Sequence, residues 1–213
     1  MGNNDEAVVD PLNRWQMAAH YSAEVKDLGL GRALRNYYLI LLPIGLAVLL
    51  PLGFGIGFLL SPGPVDRIHL QLGFFAAGLG LMIAAFVYRA KRINTAVVPY
   101  EPDVLALFEN PQRKSLVSQV LGREPLVPGH LAVTRAGAVQ LRKKSADQLV
   151  IVPYLIPLIL SPQLITDSFW VWLIGAAGLS MIISALFQLR RFILAGRFLE
   201  RTADGTAEVA LEN

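Results

Sequence analysis

The sequence predicts an all-α membrane protein in which four transmembrane helices form two parallel-repeat hairpins around a small cytoplasmic insert of short helices and a β-hairpin. Three observations predict it. Four long stretches carry no ionisable side chain, the basic residues gather on one side of them, and the second hairpin repeats the first.

Of the 213 residues 54% are hydrophobic and only 16% charged, whereas soluble domains run nearer a quarter charged. The apolar residues are collected into 37–60, 70–88, 149–166 and 168–189, which contain no Asp, Glu, Lys, Arg or His. Crossing a hydrocarbon core about 30 Å thick takes roughly 17–25 apolar residues, and the third stretch sits at the lower limit. With no water to satisfy the backbone inside that core, each stretch must be helical. Burying four such helices in a soluble core would leave too little polar chain to cover them.

Orientation follows from the basic residues. Arg14, Lys26, Arg32 and Arg35 precede span one, a run from Arg89 to Lys144 lies between spans two and three, and Arg190, Arg191, Arg197 and Arg201 follow span four. Of 19 basic residues only Arg67 falls on the other side. Lys/Arg excess marks the cytoplasmic face, so both termini and the middle segment are expected inside. Tyr37, Tyr38 and Tyr88 stand at the inner ends and Trp170 and Trp172 at the outer, where amphipathic rings favour the headgroup level. The chain reads as a cytoplasmic segment with an amphipathic helix (1–36), a first hairpin (37–89), an insert (90–148), a second hairpin (149–189) and a tail (190–213). The first 36 residues are polar and do not have the pattern of a secretory signal. The absence of an organelle-targeting segment points to a bacterial plasma membrane.

Set against itself so that Leu60 meets Leu160, the chain repeats without a gap. Leu60-Ser61-Pro62 matches Leu160-Ser161-Pro162, Ala76-Ala77-Gly78-Leu79 matches Ala176-Ala177-Gly178-Leu179, and Ile83, Ala85 and Ile93 recur as Ile183, Ala185 and Ile193. Both hairpins start on the same side, so the implied two-fold axis runs along the membrane normal. Ala76, Gly80 and Ala84 on span two, with Ala176, Ser180 and Ser184 on span four, form small-residue stripes of the kind that let helix backbones approach closely in lipid. They are expected to pack spans two and four together or to pair subunits. The odd spans are interrupted at matched places, by Gly53 and Gly57 in span one and by Pro153 and Pro157 in span three. Interruptions at corresponding positions can open backbone carbonyls to a substrate near the midplane.

In the insert, a short helix is expected over 103–109. A second is expected over 112–121, started by Pro111, stopped by Gly122 and carrying Leu116, Val117, Val120 and Leu121 on one face. That face could lie on the inner leaflet or cap the spans. The alternation across 131–142 reads as a β-hairpin turning near Ala136-Gly137. Within 11–28, Leu12, Trp15, Ala19, Ser22 and Val25 fall at helical spacing, as in a surface-lying helix anchored by Trp15. The tail beyond Arg201 lacks periodicity and reads as disordered. An insert of this size is too small for a substantial core of its own, so it is expected to pack on the terminal segments or a partner.

Nothing in the residues specifies a reaction. There is no cysteine, which excludes thiolate metal sites and thiol catalysis. Ion pathways and proton relays place ionisable groups within the spans, and these spans have none. The Gly-x-Gly-x-Gly run from Gly53 follows no strand, so it is not a nucleotide loop. Asp66, His69 and Asp167 close the outer turns and are read as solvated loop residues rather than a metal or acid–base site. No cofactor, metal or nucleic acid is expected, the net charge of +3 being that of a membrane protein's inner loops. Expected partners are the bilayer, other membrane proteins or a second copy, and anionic lipid headgroups at the basic clusters. The leading reading is a non-enzymatic assembly, accessory or scaffold component. A small transporter or channel built from the duplicated hairpins is the alternative, and a lipid-acting membrane enzyme comes third.

Overall fold

The computed structural model describes residues 11–60, 63–98, 103–163 and 169–211. Among the described residues the fold is all-α apart from one two-residue strand pair, and four helices are long and apolar enough to cross a membrane. In chain order the elements are α1 (Pro11–Ser22), β1 (Lys26–Asp27), α2 (Leu30–Asn36), α3 (Leu42–Leu60), α4 (Arg67–Tyr88), β2 (Val97–Val98), α5 (Asn110–Val120), α6 (Leu131–Gln163) and α7 (Phe169–Leu211). A π-helical turn, Tyr37–Leu41, joins α2 to α3, and a second, Arg89–Ile93, extends α4. The apolar spans accordingly run Leu30–Leu60, Arg67–Ala96, Leu131–Ser161 and Trp172–Ala203. The chain divides into two compact units, one from 1–28, 97–142 and 191–213, the other from 29–96 and 143–190.

The first unit packs its three chain segments together through two buried clusters. β1 pairs antiparallel with β2, Lys26 opposite Val98 and Asp27 opposite Val97. Ala18 of α1, Val104, Leu105 and Phe108 of the insert, Leu116 of α5 and Val133 and Ala136 of α6 form one buried cluster, with Trp15 and Val25 packed on it. Val120, Ala138, Leu141 and Ala195 form another. The insert thus does pack on the terminal segments, and this changes how two amphipathic helices are used. Trp15 stacks on His130 at 3.8 Å and lies 4.5 Å from Phe108, so it holds protein rather than lipid. The apolar face of α1 carries Ala18, while Ala19 is exposed. Leu116, Val117, Val120 and Leu121 of α5 likewise face the two clusters.

The expected β-hairpin over 131–142 is helix, the opening turns of α6. Val133, Thr134, Ala136, Ala138, Val139, Gln140 and Leu141 are all buried, while Ala132 is exposed and Arg135 and Arg142 are partly so, so the polar Thr134 and Gln140 lie covered together with the apolar residues. Polarity therefore cannot mark a face there, and its alternation does not report a strand. Gly137 lets Leu105 approach, since a methyl group there would stand 3.0 Å from its Cδ2. The tail expected to be disordered beyond Arg201 continues α7 to Leu211. Two expectations for α5 hold. Pro111 stands in its first turn, and Gly122 ends it at φ 71°. Arg123 N–H reaches back to Ser118 O at 2.8 Å and Gly122 N–H to Gln119 O at 3.0 Å, the paired bonds of a Schellman stop. The short helix expected over 103–109 is a 3-10 turn, Val104–Leu107, capped by the Asp103 carboxylate.

In the second unit α3 lies along α4. His69, Gly73, Ala77, Leu81 and Ala85, four apart along α4, are all buried. The closest approach is between glycines, because a methyl group on Gly53 would sit 2.6 Å from the carbonyl oxygen of Gly73. Gly57 meets the His69 backbone in the same way, at 3.3 Å. Such backbone contact is what Gly-x-x-x-Gly spacing permits in lipid. On another side of α4, Gly78 accommodates Leu158 of α6. Ser161 donates to the Gln71 carbonyl at 3.1 Å.

Candidate functional site

The richest polar construction of the second unit lies where α2 and α3 meet the basic end of α4. Tyr37, Tyr38 and Tyr88 form a ring cluster there, with centroids 5.4 Å apart for Tyr37–Tyr38 and 5.3 Å for Tyr37–Tyr88. Each hydroxyl donates to a backbone carbonyl. Tyr88 reaches Ala33 at 2.7 Å, Tyr37 reaches Val150 at 2.9 Å and Tyr38 reaches Leu149 at 2.7 Å. The last pairing follows from the sequence of α6. Pro153 has no N–H to give the carbonyl four residues back, which is that of Leu149, and Tyr38 supplies the missing donor. Nearby, Arg89 holds Asp147 through Nε at 2.9 Å and a second contact at 3.4 Å, and Ser145 donates to Gln188 at 3.2 Å.

Two concavities flank the cluster. The first, about 290 Å³, lies among Tyr38, Leu42, Leu46 and Leu50 of span one, Phe74 of span two and the α6 residues Pro153, Ile156 and Pro157. It is apolar, and the hydroxyl of Tyr38 is already engaged. The second, about 450 Å³, is a groove between spans one and two that runs from Leu49 and Gly80 to Tyr88, Lys91 and Arg92.

The structure separates the residues that the sequence grouped as a substrate site. Pro153 and Pro157 line the first concavity, whereas Gly53 and Gly57 are consumed in the contact between α3 and α4. The small-residue stripes also part company. Ala76, Gly80 and Ala84 are half-buried, and a methyl group at Gly80 would lie 2.7 Å from Leu49. Ala176, Ser180 and Ser184 are exposed. The ridge of α4 that is fully buried lies one position further along, at Ala77, Leu81 and Ala85.

His69 is buried as a cap. Its Nδ1 accepts from the Asp66 N–H at 3.1 Å while Asp66 caps α4, and Phe58 lies 4.6 Å from its ring. Asp167 lies outside the described residues. Among the described residues no cluster of His, Asp or Glu is arranged to hold a metal ion.

Sequence reasoning placed Tyr37 and Tyr38 at the headgroup level but missed their bonds to α6. The signal was available in Pro153, which leaves an orphan acceptor that something must satisfy. Compared with known protein families, curated proteins and solved structures, the chain matches none.

Proposed function

We propose that this is a non-enzymatic membrane component that works by assembling with other membrane proteins or with itself, its termini and insert on the cytoplasmic side of a bacterial plasma membrane. The observation that carries the reading is the exposure of span four. In its most apolar 18-residue window none of the residues is buried. The less exposed positions, Ile174, Gly178, Met181, Ala185 and Gln188, form a narrow seam, and Ala176, Ser180 and Ser184 are exposed beside it. In lipid, small residues and hydroxyls on an open helix face are most useful against another helix, where they allow close approach and hydrogen bonding. The two hairpins are read as copies on the strength of their ungapped register. They have diverged in use: Gly78 has Leu158 against it, and Gly178 has nothing within 4 Å of where a methyl group would stand.

The test uses the absence of native cysteine. Full-length chain carrying Ser180→Cys alone, oxidised in its membrane, should yield a disulfide-linked dimer or a mixed adduct with a partner, and Leu186→Cys on the same helix should yield less. If gentle purification recovers only monomer and neither cysteine cross-links above the other, the assembly reading fails. A transporter would draw its support from the concavity at Pro153 and Pro157, but an apolar lining offers a polar solute no replacement for its water.

A further inference from the structure

We infer that the groove between spans one and two is a binding site for one anionic glycerophospholipid, its phosphate held by Lys91 and Arg92 and an acyl chain lying along the groove. Three features of the site converge on that ligand.

The first is the wall. Leu41 and Leu49 on one side, with Gly80, Ala84 and Tyr88 on the other, enclose an apolar trough of about 450 Å³. Gly80 closes its inner end, because the missing side chain lets Leu49 approach to where a methyl group would stand 2.7 Å away. The trough opens sideways, past Ile83 and Val87, which are 62% and 49% exposed. A ligand that already lies in the bilayer can therefore enter laterally.

The second is its length. From Gly80 to Arg92 a helix rises about 18 Å at 1.5 Å per residue. Half of a hydrocarbon core about 30 Å thick is about 15 Å. The trough thus covers one leaflet, from near the midplane to the level of the phosphates.

The third is charge. Lys91 and Arg92 close one end only, on the π-helical turn Arg89–Ile93, and both are exposed. Arg89, on the same turn, is spent on Asp147. Among the described residues neither Lys91 nor Arg92 forms an ion pair, so two cations without carboxylates face the headgroup region beside an apolar slot. A phosphate diester carrying acyl chains complements both parts, whereas free phosphate would use only the cations. The inference needs only the basic end to lie at a headgroup layer, and it stands or falls independently of assembly.

Native mass spectrometry of the full-length chain, released from mild detergent with dioleoyl phosphatidylglycerol or dioleoyl phosphatidylcholine, tests it. The wild type should retain one phosphatidylglycerol in preference to phosphatidylcholine. Lys91→Gln with Arg92→Gln should weaken that retention roughly 30-fold, taking about 1 kcal/mol for each basic residue at the surface. Arg190→Gln with Arg191→Gln removes the same charge elsewhere and should change it little. Ala84→Phe, which fills the trough, should abolish retention while helicity and monodispersity stay at wild-type values. Equal retention of the two lipids would overturn the site. So would equal losses from the two charge-removing pairs, or undiminished binding in a folded Ala84→Phe chain.

Discussion

The hydroxyl of Tyr38 donates to the carbonyl of Leu149 at 2.7 Å, the one acceptor on α6 that Pro153 leaves without its amide. The bond ties span one to span three at a helix interruption and turns a local defect into a fastening. Tyr37 makes a parallel bond to the next carbonyl, that of Val150. The proline is thus accommodated by tertiary structure rather than by bending alone.

Replacing Tyr38 with Phe should destabilise the folded protein by roughly 1–2 kcal/mol, because it strands an acceptor in apolar surroundings. Unfolding in mild detergent measures this. Pro153→Ala restores the amide, so Tyr38→Phe in that background should cost much less. Equal costs in both backgrounds would show that the hydroxyl does not serve the orphan carbonyl.

Gly53→Ala should be among the most damaging single-methyl changes in the spans, since it drives a carbon into the Gly73 carbonyl and forces α3 off α4. A loss of about 1–3 kcal/mol is expected for overpacking of this kind. Gly55→Ala is the internal control. Nothing lies within 4 Å of a methyl group there, and Ala is the better helix former, so stability should hold or rise. The same detergent unfolding assay separates them.

In the first unit, Arg142 pairs with Asp27 while its guanidinium lies 4.6 Å from the centre of the Phe192 ring. Their side chains are only 20% and 13% exposed. Removing one member of a buried pair leaves an uncompensated charge and costs about 3–5 kcal/mol. Asp27→Ala should therefore make the segments 1–28, 97–142 and 191–213 sensitive to limited proteolysis. Arg14→Ala, which loses a pair with the largely exposed Glu109, should cost less than about 1 kcal/mol. Comparable protease sensitivity in the two variants would argue against the ranking.

Orientation has its own test. An alkaline phosphatase fused after Asp167 should be active, and one fused after Gly122 inactive, because the enzyme folds only outside the cytoplasm. The opposite pattern would reverse the topology read from the basic residues.

Some of the architecture was written locally. A helix in hydrocarbon needs no neighbour to decide that it is a helix, because each amide is satisfied four residues away. That is why the four spans were legible, and why Pro111 and Gly122 marked the ends of α5. The Gly53-x-x-x-Gly57 spacing was also visible. Whether it opened a substrate site or allowed backbone contact was not, because that depends on Gly73 standing opposite. Which small residues of span two lie against α3 was not legible, for the same reason. Ala76-Ala77-Gly78 offers small residues in succession, and only the neighbours select which of them is covered.

By itself, then, the sequence determined that there are four long apolar segments and that they are helical, since each is set by a run of residues against a uniform solvent. Tertiary structure decided what those runs leave open. It made 131–142 the start of α6 and buried polar and apolar side chains of it together, turned Trp15 and α5 inward onto protein, and gave the Leu149 carbonyl a donor from Tyr38, well over a hundred positions away in the chain. The physical reason is that burial and hydrogen-bond satisfaction are properties of pairs of segments. No single segment carries them.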